Sequence, residues 1–168
     1  MRKKLFTAAV AFVLSALTSN AFAFPTWLEL RNEIINYYKT IDTSKQWCID
    51  SDGDLEITYS SSSGSERKAY IMMIESEQAI PDMPPAVCYF ESTTPAKANA
   101  KKMIKCADAI NWALPGVGQV YYKNDAICVA SSIYAYSAPY VAMQITQLGT
   151  FSSMAIDLAE KCTDYVTD

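Results

Sequence analysis

The densest group of chemically capable side chains is Asp50-Ser51-Asp52-Gly53-Asp54-Leu55-Glu56-Ile57, with four carboxylates inside seven residues. Carboxylates at alternate positions of a turn can converge on a hard cation, and helix-flanked calcium loops use that spacing. The match is partial. Asp50, Asp52, Asp54 and Ile57 fall where such a loop wants ligands and an apolar residue, but Leu55 replaces its glycine and Ser61 its bidentate glutamate. Asp-Gly between runs of alternating apolar residues is the pattern of a hairpin turn. The acids are therefore assigned to a solvated turn, and neither a metal nor a cofactor is expected. Such a turn can contact a basic partner, with Tyr59 on the following strand and the pair Tyr121-Tyr122 supplying the aromatic anchors that charge alone lacks. The candidate binding residues are Asp50, Asp52, Asp54, Glu56, Tyr59, Tyr121 and Tyr122.

The complete absence of histidine removes more chemistry than any motif adds. No Ser-His-Asp or Cys-His machinery, no histidine-ligated zinc and no imidazole base is available. Ser65-Glu66-Arg67-Lys68 spells the S-x-x-K of penicillin-recognising enzymes, but neither S-D-N nor K-T-G follows and the four residues fall in a polar stretch between strands. Gly116-Val117-Gly118 lacks the third glycine of a dinucleotide fingerprint. Glycoside hydrolysis survives without histidine, because two carboxylates suffice. A first helix, then a sheet, then helices is loosely similar to lysozyme-like muramidases, and Glu33 with Asp50 or Asp52 would be the pair for that alternative. It rests on fold analogy, which is a weak warrant for activity. The expectation is a domain that is not an enzyme.

Five cysteines stand at 48, 88, 106, 128 and 162, and their closest spacing of 18 residues excludes the Cys-x-x-Cys of redox and zinc sites. Arg2, Lys3 and Lys4, an apolar run from Leu5 to Leu17, and Ala21-Phe22-Ala23 make a secretory signal, with cleavage expected after Ala23. The apolar run is too short to span a bilayer, and the first cysteine lies too far on for lipidation at the cleavage point. Export would deliver the thiols to an oxidising, periplasmic or extracellular compartment. Two disulfides and one thiol are then expected, with Cys48–Cys88 tying the sheet and Cys106–Cys162 tying two helices. Cys128, between Ile127 and Val129, is the odd, buried residue.

Loss of Arg2, Lys3 and Lys4 leaves 11 bases against 18 acids, a net charge of −7. Nucleic acid and anionic membranes repel such a chain at long range, whereas a basic protein attracts it.

These residues must be positioned by a single domain from 24 to 168, whose 51% hydrophobic and 19% charged side chains are ordinary globular values. Thr26-Trp27-Leu28-Glu29 is a capping box, and Trp27, Leu30, Ile34, Tyr38 and Ile41 recur at helical spacing, predicting a helix from Trp27 to Thr40. Strands are expected on either side of Asp52-Gly53, over Ala69 to Ile74 and over Val87 to Phe90. Thr94-Pro95 opens a helix that Pro115-Gly116 ends. The stretch from Ala126 to Ile156 holds no charged residue, yet its serines, glutamines, threonine and Pro139 dilute it too far for membrane insertion. It reads as helices over Ile127 to Tyr136 and Tyr140 to Leu148, divided by Pro139. A last helix from Phe151 to Val166 follows Gly149, its stripe formed by Phe151, Met154, Leu158, Cys162 and Tyr165. The expected class is α+β: an N-terminal helix, a small antiparallel sheet and a C-terminal cluster of helices, stabilised by disulfides. An exported domain of this size and charge suits the work of an inhibitor or immunity protein that neutralises a toxin or a cell-wall hydrolase, or that of an envelope assembly factor.

Overall fold

A computed structural model describes residues 24–42, 44–62, 64–74, 83–95, 99–116 and 118–165, so the expected signal segment lies outside the described residues. The chain runs α1 (Trp27–Ile41), β1 (Gln46–Ile49), β2 (Leu55–Ser60), β3 (Glu66–Ile74), β4 (Ala86–Thr93), α2 (Ala100–Ala113), β5 (Gln119–Lys123), β6 (Ala126–Tyr134) and α3 (Ala138–Tyr165). The six strands form one antiparallel sheet in the order β1-β2-β3-β4-β6-β5. The class is α+β with a helix first, as expected.

The start of α1 follows its sequence signals. Thr26 accepts the Glu29 amide at 3.3 Å while the Glu29 carboxylate accepts the Thr26 amide at 2.7 Å, so the capping box closes in both directions. Leu30, Ile34, Ile35 and Tyr38 are buried against the sheet. In α2 the cap is Asn99, which accepts the Lys102 amide at 2.9 Å.

The segment 126–134 corrects the expected helix. It is a strand, because Ile127, Val129, Ser131 and Ile133 alternate inward and β-branched residues suit that conformation. Asn124 and Asp125 both adopt positive φ, 49° and 60°, which closes a two-residue hairpin between Lys123 and Ala126. The hairpin lays β6 against β4, so the sheet is larger than expected and its last two strands come after α2.

The second correction joins two expected helices into one. Pro139 lies in the first turn of α3, where a missing amide hydrogen costs nothing, and α3 continues unbroken through Gly149 for 28 residues. A Cβ on Gly149 would stand 2.7 Å from the Tyr89 ring, so glycine is there for close approach of helix to sheet rather than as a stop. The same closeness reverses the expected stripe of the last helix. Ser152, Ala155, Ile156 and Ala159 are buried, while Phe151 (49% exposed), Met154 (49%) and Leu158 (41%) face outward.

Among the described residues, the three helices pack on one face of the sheet, in two apolar clusters. The first joins α1 and the start of α3 to β2, β3 and β4, through residues such as Leu30, Ile57, Ile71, Val87 and Ile145. The second joins α2 and the later turns of α3 to β5 and β6, through Ile110, Val120, Ile127, Val129 and Ile156. No helix among the described residues is long and apolar enough to cross a membrane.

Strand alternation places Cys48, Glu56, Tyr70, Cys88, Tyr121 and Cys128 on the face away from the helices. All five cysteines are free thiols in the structure. The expected Cys48–Cys88 bridge is excluded by topology: β1 and β4 are three strand spacings apart, about 14 Å, against the 4.4 to 6.8 Å between Cα atoms, roughly, that a disulfide spans. Cys128 is buried, at 4% exposure. Its register partner on β4 is Ser92, four residues along from Cys88.

Candidate functional site

The acidic turn is built by its own backbone. Oδ1 of Asp50 accepts the amides of Asp52 at 2.9 Å and Asp54 at 3.0 Å, the Asp50 amide donates to the Asp54 carbonyl at 3.0 Å, and Gly53 takes a φ of 87° that favours glycine. The turn is also fastened to α1, because Trp27 Nε1 and Arg31 Nη1 each donate to the Gly53 carbonyl at 2.9 Å. One oxygen of Asp50 is thus committed to the turn, and the Arg31 guanidinium is bonded to the turn's Gly53 carbonyl. Among the described residues there is no group of three or more side chains able to hold a metal ion. Partial burial, and then the charges of Asp50 and Asp52, push the Asp54 carboxyl above its ordinary value.

The other expected site residues go to separate places. Glu56 faces away from the helices and takes the Lys68 ammonium at 2.7 Å. That hydrogen bond holds its carboxyl below the ordinary value. Lys68 therefore serves as the partner of Glu56, and because it lies on the extended strand β3 it is not one helical turn from Ser65. Tyr59 points inward beneath the helices. Tyr122 faces the helix side and donates to Asp125 at 2.7 Å, whereas Tyr121 faces the opposite side of the sheet on β5, the edge farthest from the acidic turn. The turn and the three tyrosines do not form one surface. Glu33 lies on α1, and one carboxylate oxygen of Asp50 is held by the turn amides.

A polar seam between the two apolar clusters is what sequence reasoning missed. Glu91 on β4 is 0% exposed, and its carboxylate accepts from Tyr59, from Tyr89 at 3.2 Å and from Ser153 of α3 at 3.3 Å. Tyr59 and Arg67 are register partners on β2 and β3. Arg67 forks outward to Asp157 at 2.7 Å and Glu160 at 2.6 Å on α3. Glu160 also accepts from Thr93 at 2.9 Å. Ser131 and Ser152 meet at 3.4 Å beside this seam. The signal in sequence was the period of β4: Val87, Tyr89, Glu91 and Thr93 share the inward face once the strand runs past Phe90.

The seam joins α3 to the sheet. Glu91 is fully buried. A cleft of about 380 Å³ opens beside it, lined by Ser65, Thr93, Pro95, Glu160, Thr163 and Asp164, but the carboxylate of Glu160 there is already held by Arg67 and Thr93.

Burial pushes the Glu91 carboxyl above its ordinary value of 4.5, against the hydrogen bonds and the Arg67 charge that pull it down. The native protein then keeps a proton that the unfolded chain has lost, so this group favours folding below the unfolded value and that contribution falls as pH rises through the native one. Glu91→Gln removes the titration. Stability measured by urea unfolding across that window should fall less steeply with pH in the variant than in the parent, and parallel profiles would refute the assignment.

No family model, no curated protein and no solved structure matches the chain.

Proposed function

We propose that the chain is an exported, non-enzymatic domain that binds another protein of basic character, in the manner of an inhibitor or immunity protein acting on a toxin or a cell-wall hydrolase. The observation that carries this reading is the outward apolar stripe of α3. Phe151, Met154 and Leu158 recur at helical spacing with more than two fifths of each residue exposed, although the helix had small residues to bury and buried those instead. Large apolar side chains held outward in series mark interaction surfaces. Aromatic and aliphatic anchors of this kind supply most of an interface's energy, while charge supplies rate and specificity. The net charge of −7 for the chain from Phe24 onward supports a basic partner. Stabilisation by a disulfide belongs to the same reading, because an oxidising compartment would act on the thiols.

Two sets of variants test the two contributions separately, using a partner captured from envelope extract. Asp52→Lys with Asp54→Lys should slow association several-fold at low salt and leave dissociation nearly unchanged. Phe151→Ser with Leu158→Ser should speed dissociation by tenfold or more on the order of the usual anchor losses. Both positions are exposed, so circular dichroism should show the fold intact. If purified peptidoglycan is cleaved by the isolated chain, the non-enzymatic reading fails; if the stripe variant binds with unchanged kinetics, α3 is not the contact surface.

A further inference from the structure

Helices α2 and α3 lie side by side, and each turns one cysteine toward the other. Cys106 is completely buried between Met103, Ala107 and Ile110, while Cys162 packs against the same cluster from the last turns of α3 and keeps part of its surface in solvent. Cys106 and Cys162 thus meet in one packed cluster, one from each helix, close enough for the Cys162 sulfur to push the Cys106 thiol pKa up. No comparable approach joins the other three: Cys48 is on the edge strand β1, Cys88 on β4, and Cys128 lies four residues out of register with Cys88 on the neighbouring strand.

We propose that Cys106 and Cys162 form a disulfide site, at which an oxidant of the disulfide class joins α2 to the last turns of α3. The proposal rests on the exported reading only for the source of the oxidant. The order of the steps follows from burial. Cys162 is the sulfur that solvent reaches, so its thiolate attacks the oxidant's disulfide, one thiol departs and a mixed disulfide remains. Cys106 then loses its proton and attacks the Cys162 sulfur, expelling the second thiol. The protein gives up two electrons and two protons, and the oxidant's disulfide is reduced to two thiols. Burial pushes the Cys106 thiol up, which makes the second step slow at neutral pH and faster as pH rises.

The bond would have a structural consequence at the cleft. Glu160, Thr163 and Asp164 form one of its walls and flank Cys162 on the same turns of α3. Tying Cys162 to α2 fixes that wall, and closes a loop that contains β5, β6 and most of α3.

The test uses the purified chain, fully reduced and then equilibrated with oxidised and reduced glutathione. Peptide mapping without reduction should find Cys106 joined to Cys162, and thiol counting should fall from the five of the reduced chain to three. The melting temperature of the oxidised form should exceed that of the reduced form by roughly 5–10 °C. Cys162→Ser should abolish the difference, and because this residue is partly exposed the variant should remain folded; Cys106→Ser provides the second control. A different pair, two separate glutathione adducts, or oxidised and reduced forms that melt together would overturn the proposal. Export is judged independently, by whether the bond is present in protein recovered from the cell envelope. A bond formed in glutathione but missing from that protein would count against the exported reading and leave the site intact.

Discussion

Replacing Arg67 with alanine is expected to destabilise the fold by about 3 kcal/mol, at the lower end of the range for removing one member of a buried ion pair. The side chain of Arg67 is 7% exposed and bridges Asp157 and Glu160, which are 25% and 34% exposed. Removing the guanidinium leaves those two carboxylates and Glu91 facing a volume that holds no compensating charge. Partial exposure of Asp157 and Glu160 lets water screen them, which is why the upper end of the range does not apply. Arg67→Lys keeps the charge but loses the fork that reaches both partners, so it should recover part of the loss. Acidification should narrow the gap between parent and Arg67→Ala, because protonating Glu91 removes a charge that the guanidinium offsets. Urea unfolding of the three proteins at neutral and mildly acid pH decides this. Equal stabilities at neutral pH would show that the seam contributes nothing to holding α3 on the sheet.

The elements that were legible in the sequence are those whose signal is local. Thr26, Trp27 and Glu29 fix the start of α1 by a two-way cap, and Asp52-Gly53 turns β1 into β2. The same reasoning failed where one tertiary contact outweighed a local preference. Gly149 resembles a stop but passes through α3, because what it avoids is the ring of Tyr89 from another element. The segment 126–134 is ambiguous in sequence because its apolar residues are dense enough to fit either period. Asn124-Asp125 just before it was the discriminating signal, since two residues at positive φ between alternating runs make a hairpin. The site divided in the same way. The carboxylates of the acidic turn are consecutive and visible, whereas Glu91, Arg67, Asp157 and Ser153 come from three elements and become a group only when the sheet is assembled. Tyr59 shows the cost of reading residues one strand at a time. As a tyrosine near an acidic turn it suggested an exposed anchor, yet its hydroxyl closes on the buried Glu91.

Substitution at Gly149 separates helix propensity from packing, because the two predict opposite signs. In an exposed helix interior, glycine to alanine should stabilise by about 1 kcal/mol. Here the added Cβ would lie 2.7 Å from one carbon of the Tyr89 ring and 3.2 Å from two others. Tyr89 is 2% exposed and lies in the first cluster, and its hydroxyl is held by Glu91, so the ring cannot swing aside without breaking that hydrogen bond. Either α3 lifts from the sheet or the ring shifts, and overpacking of this kind typically costs about 1–3 kcal/mol. Gly149→Ala should therefore lower stability by about 1 kcal/mol once the propensity gain is offset. Gly149→Leu should cost more. The companion substitution Tyr89→Leu removes the ring that collides. Combined with Gly149→Ala it should give a double variant more stable than the sum of the two single losses, since the clash is absent from it. A stabilising Gly149→Ala, or strictly additive losses, would mean that α3 does not approach the sheet as closely as the Gly149 and Tyr89 geometry requires.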